Sequence, residues 1–186
     1  PFGVIVGRMR GFDPRAVGSG NIGMTNVARA GGASAAIITF VGDVLKGAIP
    51  VLLARAAEFP ADAVAWVAMG AFLGSICSVF LRFHGGKGIS AALGIWLVLA
   101  PLAVLIAVIA FALVFAIFRI ISPASLTAAL AMPPAVVALA EPRAYVLLAI
   151  VITALVILRF RSNIARLIRG EEPKFRVRGK SNGAAA

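Results

Sequence analysis

The sequence predicts an all-α, polytopic membrane protein built as a bundle of about six helices. Of its 186 residues, 61% are hydrophobic and only 13% are charged, against roughly a quarter in ordinary globular domains, and the mean hydropathy is +1.02. Several apolar runs approach the roughly 20 residues that one bilayer crossing needs. We therefore expect residues 1–178 to form a single integral membrane domain whose motifs lie in loops, and residues 179–186 to form a disordered tail.

Four regions are each suited to one spanning helix, and they cover residues 33–57, 63–81, 122–140 and 144–158. A fifth region, 89–118, carries no charge and is too long for one helix. Pro101 stands near its middle, and proline lacks a backbone donor and clashes with the preceding turn. A break near Ala100 and two shorter helices are predicted. Because the chain starts without methionine, residues 1–7 are expected to end a helix whose body would precede Pro1.

The distribution of Lys and Arg supports two helices in region 89–118. With two, 15 of the 18 basic residues fall on one side of the membrane, Arg55 and Arg143 fall on the other, and Lys46 lies within a span. With one, Arg119 and the basic C-terminal segment would change sides and the asymmetry would largely vanish. Positive charge accumulates on the cytoplasmic side, so the C-terminus and the motif-bearing loops are expected there.

The same pattern argues against several other classes of protein. The net charge of +11 could suit nucleic acid, but the basic residues sit between apolar runs without interleaved aromatic residues. One histidine, His84, and one cysteine, Cys77, cannot build a usual zinc site, and the acidic residues form no inward-facing set. No metal, cofactor or nucleic-acid partner is expected, and Cys77 is interpreted as a small buried residue.

The first polar motif precedes an apolar helix and is rich in glycine. Glycine permits positive φ, which lets successive amides converge on an oxyanion, and a cation follows the motif closely. We therefore predict a phosphate-binding segment; its candidate residues are Ser19, Gly20, Asn21, Gly23, Thr25, Asn26 and Arg29. A dinucleotide fingerprint would require a βαβ unit, which membrane helices do not provide. A flexible loop with ordinary turn residues stays open as an alternative.

The second motif, Gly85, Gly86, Lys87 and Gly88, lacks the spacing of a Walker A loop. It could offer one lysine and several free amides to a phosphate at the start of the next helix. The alternative is a tight turn whose lysine only follows the positive-inside rule.

Three further groups of polar residues have either a structural or a functional interpretation. Asp43 and Lys46 stand three residues apart on one helix face and are predicted to form an ion pair within a span. Ser122 and Ser125 flank Pro123 and are interpreted first as helix N-caps, with substrate contact as the alternative. Most cations of the segment 159–172 would face anionic lipid headgroups, and Asn163 is the candidate functional residue among them.

Taken in order, these motifs resemble the bacterial acyl-phosphate:glycerol-3-phosphate acyltransferases. The resemblance covers nearly the whole chain, and its residues are Ser19-Gly20-Asn21-x-Gly23-x-Thr25-Asn26 with Arg29, Asp43-x-x-Lys46-Gly47, Gly85-Gly86-Lys87-Gly88, and Arg159-x-x-x-Asn163 followed by Arg166-Leu167-x-x-Gly170-x-Glu172. It implies a seven-helix, multi-pass protein of the bacterial cytoplasmic (inner) membrane, with its active site and C-terminus on the cytoplasmic side. Such an enzyme moves an acyl chain from acyl phosphate to the 1-hydroxyl of glycerol 3-phosphate, giving lysophosphatidate and phosphate.

The resemblance also implies roles for residues and partners. Catalytic roles go to Ser19, Arg29, Lys87 and Asn163, and substrate-binding roles go to Gly20, Asn21, Gly23, Thr25, Asn26, Gly85, Gly86, Gly88, Ser122, Ser125 and Glu172. Both phosphorylated substrates would be juxtaposed without a covalent acyl-enzyme. Membrane lipid and a soluble enzyme that supplies acyl phosphate are the expected partners, with no cofactor.

Two departures from the family pattern leave alternatives open. The family usually has histidine after the arginine of its last motif, where this chain has Phe160, and phenylalanine cannot replace imidazole as donor or acceptor. The family's Gly-His-x-x-Pro-Val-Phe run is here Gly-Ser-Ile-Cys-Ser-Val-Phe, at residues 74–80. Arg161 or His84 could compensate, or the chain could be a weakened paralogue. A transporter of a phosphorylated solute is the alternative from another class, motivated by Asp43 and Lys46 within a span.

Overall fold

In the computed structural model, which describes residues 1–175, the chain is an all-helical bundle. Its α-helices are α1 (Phe2–Met9), α2 (Met24–Ala56), α3 (Ala61–Ile76), α4 (Ile89–Leu99), α5 (Pro101–Phe118), α6 (Ile121–Ala138), α7 (Arg143–Arg159) and α8 (Arg161–Ile168). Short 3-10 helices lie at Pro14–Ala16 and Val79–Leu81. The six predicted apolar helices correspond to α2 through α7. The predicted tail at 179–186 lies outside the described residues.

Four segments are long and apolar enough to cross a membrane: α2, α5, α6 and the segment Ala61–Leu81, which joins α3 to the 3-10 helix that follows it. A fifth span is obtained when α7 and α8, which meet at a 59° bend, are counted as one broken span. Helix α4 is apolar but shorter. The expected break near Ala100 is confirmed, since α4 ends at Leu99 and α5 begins at Pro101, where proline needs no intrahelical donor.

Helices α2 and α4 cross with their backbones in close contact because glycine lies on both sides of the crossing. A Cβ added to Gly47 of α2 would overlap the carbonyl of Ala91, and one added to Gly94 of α4 would overlap the carbonyl of Val44. Small residues permit this approach in membrane helices, where packing rather than water exclusion drives association. The crossing brings the N-terminal end of α4 beside the middle of α2.

Two helix boundaries differ from the prediction. Helix α2 begins at Met24 rather than near residue 33, although Gly32 interrupts it with φ of 78° and ψ of −176°. Helix α3 ends at Ile76 rather than at residue 81. The residues that follow α3 turn back in a non-helical loop, and Arg82 and Phe83 adopt positive φ there.

The main hydrophobic core is shared by α2 through α7 and extends to Phe160 at the bend between α7 and α8. Its largest fully buried side chains include Phe72, Ile95 and Val136. Many outward-facing apolar side chains remain exposed, as Trp66 and Leu105 are, which suits a surface in contact with lipid. This core fixes the helix ends that carry the motifs.

Candidate functional site

The loop ahead of α2 is held in shape by the buried side chain of Asn26. Its Nδ2 donates to the carbonyls of Pro14, Val17 and Asn21 at 2.7, 3.0 and 2.8 Å, and its Oδ1 accepts from the Ser19 amide at 3.1 Å. Since these contacts occupy the amide group, Asn26 organises the loop from the first turn of α2. The side chain of Asn26 thus supports the loop, and its substrate-binding role stays a prediction.

Glycine and asparagine complete the same loop. Gly18 and Gly20 have φ of 58° and 67°, a region that residues with a Cβ rarely adopt. The Asn21 side chain accepts a hydrogen bond from the Gly23 amide at 2.8 Å, which is an Asx-turn. Gly23 then caps α2. The loop thus delivers the chain into α2 with the Ser19 hydroxyl at its exposed edge.

Thr25 and Arg29 stand four residues apart at the start of α2 and share one helix face. Both are partly buried. The prediction placed Thr25 and Asn26 in a loop before the helix, but the structure places them within its first turn. The positive φ of Gly32 separates this short N-terminal segment from the long apolar part of α2.

The glycine loop that joins α3 to α4 is fixed by contacts on both of its sides. The amides of Gly85 and Gly86 donate to the carbonyls of Ile76 and Ser75, both at 3.2 Å. The guanidinium of Arg159 donates to the carbonyl of Gly85 at 2.8 Å and to that of Gly86 at 3.1 and 3.2 Å. The prediction of several free amides is therefore wrong for the two glycines at 85 and 86.

An anion can instead meet the N-terminal end of α4. Gly88 caps this helix with φ of 82°, and a Cβ there would overlap Phe72 and Ile76. The first amides of an α-helix have no intrahelical acceptor and carry the positive end of the helix dipole. Residues Gly86 through Leu93 all line one cavity, so this helix end faces the space where a phosphate would bind.

Lys87 lies beside that helix end and is half-buried. Its Nζ stands 4.3 Å from the centre of the Phe160 ring. Burial lowers the pKa of Lys87 to about 8; the negative charge of Glu172 acts in the opposite direction, and the positive charges of Arg166 and Arg29 lower it further. The ammonium is therefore charged at neutral pH but titrates close to it.

The segment after α7 contributes a hydrogen-bonded cluster centred on Glu172. One carboxylate oxygen accepts from the Ser122 hydroxyl and, at 2.5 Å, from Asn163 Nδ2. The other accepts from Arg166 Nε at 2.6 Å. The Glu172 side chain is only 6% exposed. Burial raises its pKa, but the hydrogen bonds from Ser122, Asn163 and Arg166 outweigh burial, so the pKa lies below its ordinary value.

This cluster leaves one acceptor free. Asn163 is 3% exposed, and its Nδ2 also donates to Ser122 Oγ at 2.9 Å. Its Oδ1 is buried and has no partner among the described residues. A buried acceptor without a partner is costly. Because Asn163 lines the cavity, a donor group on a bound molecule could satisfy this oxygen.

A cavity of about 830 Å³ joins these motifs to the centre of the bundle. Its polar end is formed by the loop before α2, the glycine loop and the Glu172 cluster. Its apolar end runs between α4, α5, α6 and α7, and the side chains there are Trp96, Val104, Ala107, Phe111, Ala128, Met132, Ile152 and Val156. A molecule with an anionic head and a long apolar chain matches both ends.

The cavity wall carries more positive than negative side chains. Asp43 forms the predicted ion pair with Lys46, with 2.6 Å between Oδ1 and Nζ, and Glu172 pairs with Arg166. Arg29 and Lys87 also line the cavity, and neither has an ion pair or side-chain hydrogen bond within residues 1–175. Two uncompensated cations therefore remain for an anion.

Most of the predicted site residues meet in this cavity. Its walls contain Ser19, Arg29, Lys87 and Asn163, together with Asn21, Gly23, Thr25, Asn26, Gly86, Gly88, Ser122, Ser125 and Glu172. Gly20 and Gly85 do not line it. Lys46, Arg166 and the backbone contacts of Arg159 were missed as parts of the site. The charge of Lys46 inside a span was a usable signal, whereas the partner of Arg159, 73 residues away, was not visible in the sequence.

Three interpretations from the sequence are wrong. Ser122 is no N-cap, because α6 begins at Ile121 without a side-chain cap and the Ser122 hydroxyl bonds Glu172. Ser125 lies inside α6 as well. Cys77 is exposed rather than buried, because α3 ends before it. Neither His84 nor Arg161 lines the cavity, so neither stands where it could replace the family histidine.

Comparison with known proteins agrees with this geometry. Residues 1–170 match the family model described as glycerol-3-phosphate acyltransferase. Proteins of that name from Trichlorobacter lovleyi and Geobacter sulfurreducens are each 46% identical over 177 residues, covering 95% of this chain and 91% of theirs. One from Anaeromyxobacter dehalogenans is 45% identical over 182 residues, covering 94% and 90%.

Two solved structures share the fold. Both are of PlsY (YgiH), described as an integral membrane glycerol 3-phosphate acyltransferase. Its glycerol 3-phosphate form superposes with a TM-score of 0.90 at 37% identity, covering 94% of this chain and 88% of that one. Its lysophosphatidic acid form gives 0.87 at 36% identity, covering 95% and 88%.

Proposed function

The chain belongs to the glycerol-3-phosphate acyltransferase family, and we propose that it moves an acyl chain from acyl phosphate to the 1-hydroxyl of glycerol 3-phosphate. It is an integral membrane acyltransferase of phospholipid synthesis.

The observation that carries this proposal is the composition of the cavity that joins the motifs. Two unpaired cations, Arg29 and Lys87, and the N-terminal end of α4 line its polar end, which suits one or more phosphate groups. Apolar side chains of four helices line the rest, which suits an acyl chain. Acyl phosphate and lysophosphatidate each combine these two parts.

The chemistry requires no covalent intermediate with the protein. The hydroxyl oxygen of glycerol 3-phosphate attacks the acyl carbonyl carbon and forms an ester bond, while the bond from that carbon to the phosphate oxygen breaks. The leaving phosphate takes the electron pair, and the hydroxyl proton passes to a phosphate oxygen. Negative charge grows on the carbonyl oxygen and on the leaving group, so fixed cations stabilise the transition state more than the ground state.

Residue roles follow from the positions described above. Lys87 and the α4 amides would bind the donor phosphate, and Arg29 with Ser19 would bind the phosphate of the acceptor. The free Oδ1 of Asn163 would accept the hydrogen bond of the attacking hydroxyl and orient it. Glu172 would fix Asn163 and Ser122 rather than touch an anionic substrate.

The proposed orientation places the polar end of the cavity at the cytoplasmic face of a bacterial inner membrane. The charge asymmetry of the loops supports it. A soluble enzyme would supply acyl phosphate from that side, and residues 1–178 would act as one membrane domain. Cysteine substitutions at Arg82 and Glu58, labelled from outside intact cells, test the orientation: only the site at position 58 should react.

Phosphate release by the purified protein, given acyl phosphate and glycerol 3-phosphate, is the direct test. Formation of lysophosphatidate in equal amount is expected. Arg29→Ala and Lys87→Ala should each lower kcat/KM at least about a hundredfold, the range seen when one charge-stabilising donor is removed. Arg161→Ala, which changes an exposed cation outside the cavity, is the matched control and should leave the rate unchanged.

Other outcomes would redirect the assignment. Uptake of a phosphorylated solute by sealed vesicles without product would favour a transporter. Turnover by Phe160→His in a chain whose parent is inactive would favour a weakened paralogue. Release that does not depend on either Arg29 or Lys87 would overturn the site.

A further inference from the structure

Phe160 lies directly beneath the one lysine of the glycine loop. The distance from Lys87 Nζ to the centre of its ring is 4.3 Å, within the range at which the negative face of an aromatic ring attracts a cation. The ring is only 2% exposed, and both side chains line the cavity. The contact therefore lies at the boundary between the hydrophobic core, to which Phe160 belongs, and the polar end of the cavity, which Lys87 lines.

The charged groups around this ammonium act on it through space, without a direct bond among residues 1–175. Within the described part of the chain, Lys87 forms no hydrogen bond or ion pair. Glu172 and Arg166 face it from the segment after α7, and Arg29 faces it from α2. Glu172 is already engaged by Ser122, Asn163 and Arg166. Asp43 and Lys46, on the same cavity wall, bond to each other.

The ring itself is held firmly. Phe160 packs in the main core, and its amide donates to the carbonyls of Val156 and Ile157 at 2.9 and 3.1 Å. Its neighbour Arg159 bonds the backbone of Gly85 and Gly86. Two consecutive residues thus support the glycine loop: Arg159 bonds the loop backbone, and Phe160 contacts the loop lysine, Lys87.

We propose that Phe160 is a positioning residue of the acyl transfer, whose ring holds the Lys87 ammonium in the cavity, free of any anionic partner, where it meets the phosphate of the substrate. The inference rests on the proposed function. It gives a role to a side chain that can neither donate nor accept a proton. An aromatic ring keeps the cation in place without neutralising it, whereas a carboxylate would compete with phosphate.

The pH dependence of activity should reveal the contact. The ammonium is needed in its charged form, and the pKa of Lys87 lies at about 8, so kcat/KM for acyl phosphate should fall as pH rises through that value. The ring face stabilises the cation. Replacing it with an aliphatic side chain keeps the burial but removes this attraction, and the fall should move to lower pH.

The experiment compares pH profiles of kcat/KM for acyl phosphate, which report groups of the free enzyme. Phe160→Leu should shift the alkaline limb downward by about half a unit to one unit, the range that a partly desolvated cation–π contact provides. Phe160→Tyr retains a ring face and should keep the limb in place. Lys87→Arg stays charged throughout, so its profile should lack the limb. Phe80→Leu, at an exposed ring outside the cavity, is the control for the same substitution.

The outcomes distinguish a failure of the role proposed for Phe160 from a failure of the proposed function. An alkaline limb that stays unmoved in Phe160→Leu, with only a lower melting temperature, would mean that the ring merely fills the core. A limb that persists in Lys87→Arg would mean that another group titrates. If the unaltered protein releases no phosphate, the proposed function itself fails. Binding of inorganic phosphate to the parent and to Phe160→Leu, measured by calorimetry at pH values on either side of 8, then still tests the contact. The affinity should fall at lower pH in the variant than in the parent, and identical pH dependence would contradict the role of the ring.

Discussion

Arg159 and Gly86 are joined by two hydrogen bonds, since the Nε and Nη2 atoms of the guanidinium both donate to the same carbonyl oxygen, at 3.2 and 3.1 Å. Nη2 also donates to the carbonyl of Gly85 at 2.8 Å. The last residue of α7 therefore fixes the loop that presents Lys87. A planar fork with several donors suits two adjacent carbonyls better than an ammonium does.

Arg159→Lys should consequently lower kcat/KM while leaving the protein folded. Charge-assisted hydrogen bonds contribute about 1.5–3 kcal/mol each, so the loss should be about tenfold to a hundredfold. Steady-state kinetics with acyl phosphate as the varied substrate measure it. Arg161→Lys, exposed on α8, should retain the parent rate, and equal rates for the two variants would contradict the role of Arg159.

Glu172→Gln should change how stability depends on pH. The folded pKa of Glu172 lies below the ordinary value of 4.5, so its contribution to stability is complete above about pH 4.5 and is lost as pH falls through the folded pKa. The variant should melt at a lower temperature at neutral pH, with less further loss on acidification. Melting temperatures in detergent between neutral pH and about pH 3 measure this. Glu171→Gln, in an exposed pair with Arg169, should behave like the parent.

The pair of Asp43 and Lys46 should show strong coupling. Asp43→Asn leaves Lys46 without its partner inside the bundle, and we expect a loss of about 1–3 kcal/mol, because the pair is only partly exposed. Adding Lys46→Met should recover part of that loss. A double-mutant cycle on unfolding free energies measures the coupling. Asp13→Asn, which breaks a largely exposed pair with Arg15, serves as the control, and an equal loss in both would contradict the prediction.

The close crossing of α2 and α4 should not tolerate a methyl group. Gly47→Ala and Gly94→Ala each place a Cβ against a carbonyl of the facing helix, and overpacking of this kind costs about 1–3 kcal/mol. Gly70→Ala and Gly74→Ala, with open space around the added atom, are matched controls and should be neutral. Thermal unfolding of the four purified variants distinguishes the two pairs, and uniform behaviour would refute the crossing.

The apolar end of the cavity should set the preference for the acyl chain. Ala128→Leu fills part of that end, so long-chain acyl phosphates should lose more kcat/KM than short-chain ones. Each methylene displaced into water costs about 0.8 kcal/mol, which is about fourfold. Leu130→Ala, at a position that faces outward, should leave the ratio unchanged. A preference unaffected by Ala128→Leu would exclude this end as the chain-binding region.

Much of the fold was predictable because its signals are local. The break between α4 and α5 follows from Pro101, from the length of the apolar region and from the distribution of Lys and Arg, and the ion pair of Asp43 and Lys46 follows from their spacing. The end of α3 was not predictable in this way. Residues 77–81 are apolar enough to continue a helix, yet the chain leaves it at Ile76, where the carbonyls of Ser75 and Ile76 bond the glycine loop.

The sequence allowed most residues of the site to be predicted, but it predicted less well what each of them contacts. The motifs identified the residues around the cavity, because phosphate chemistry needs glycine, hydroxyl groups and cations. What each residue contacts depends on distant parts of the chain. Ser122 has the local pattern of a cap, but its partner, Glu172, lies 50 residues further on, and the amide of Asn26 is used within its own loop.

Arg159 ends α7 and Phe160 follows it. The direction in which both side chains point, and hence their contacts with the glycine loop, therefore depends on how α7 is rotated about its own axis. Gain or loss of a single residue within α7 would turn the chain beyond it by about 100° and carry both side chains away from the loop. Substitutions on the lipid-facing side of α7 leave that rotation intact. Among natural variants, the number of residues between Pro142 and Arg159 should therefore be more constant than their identity.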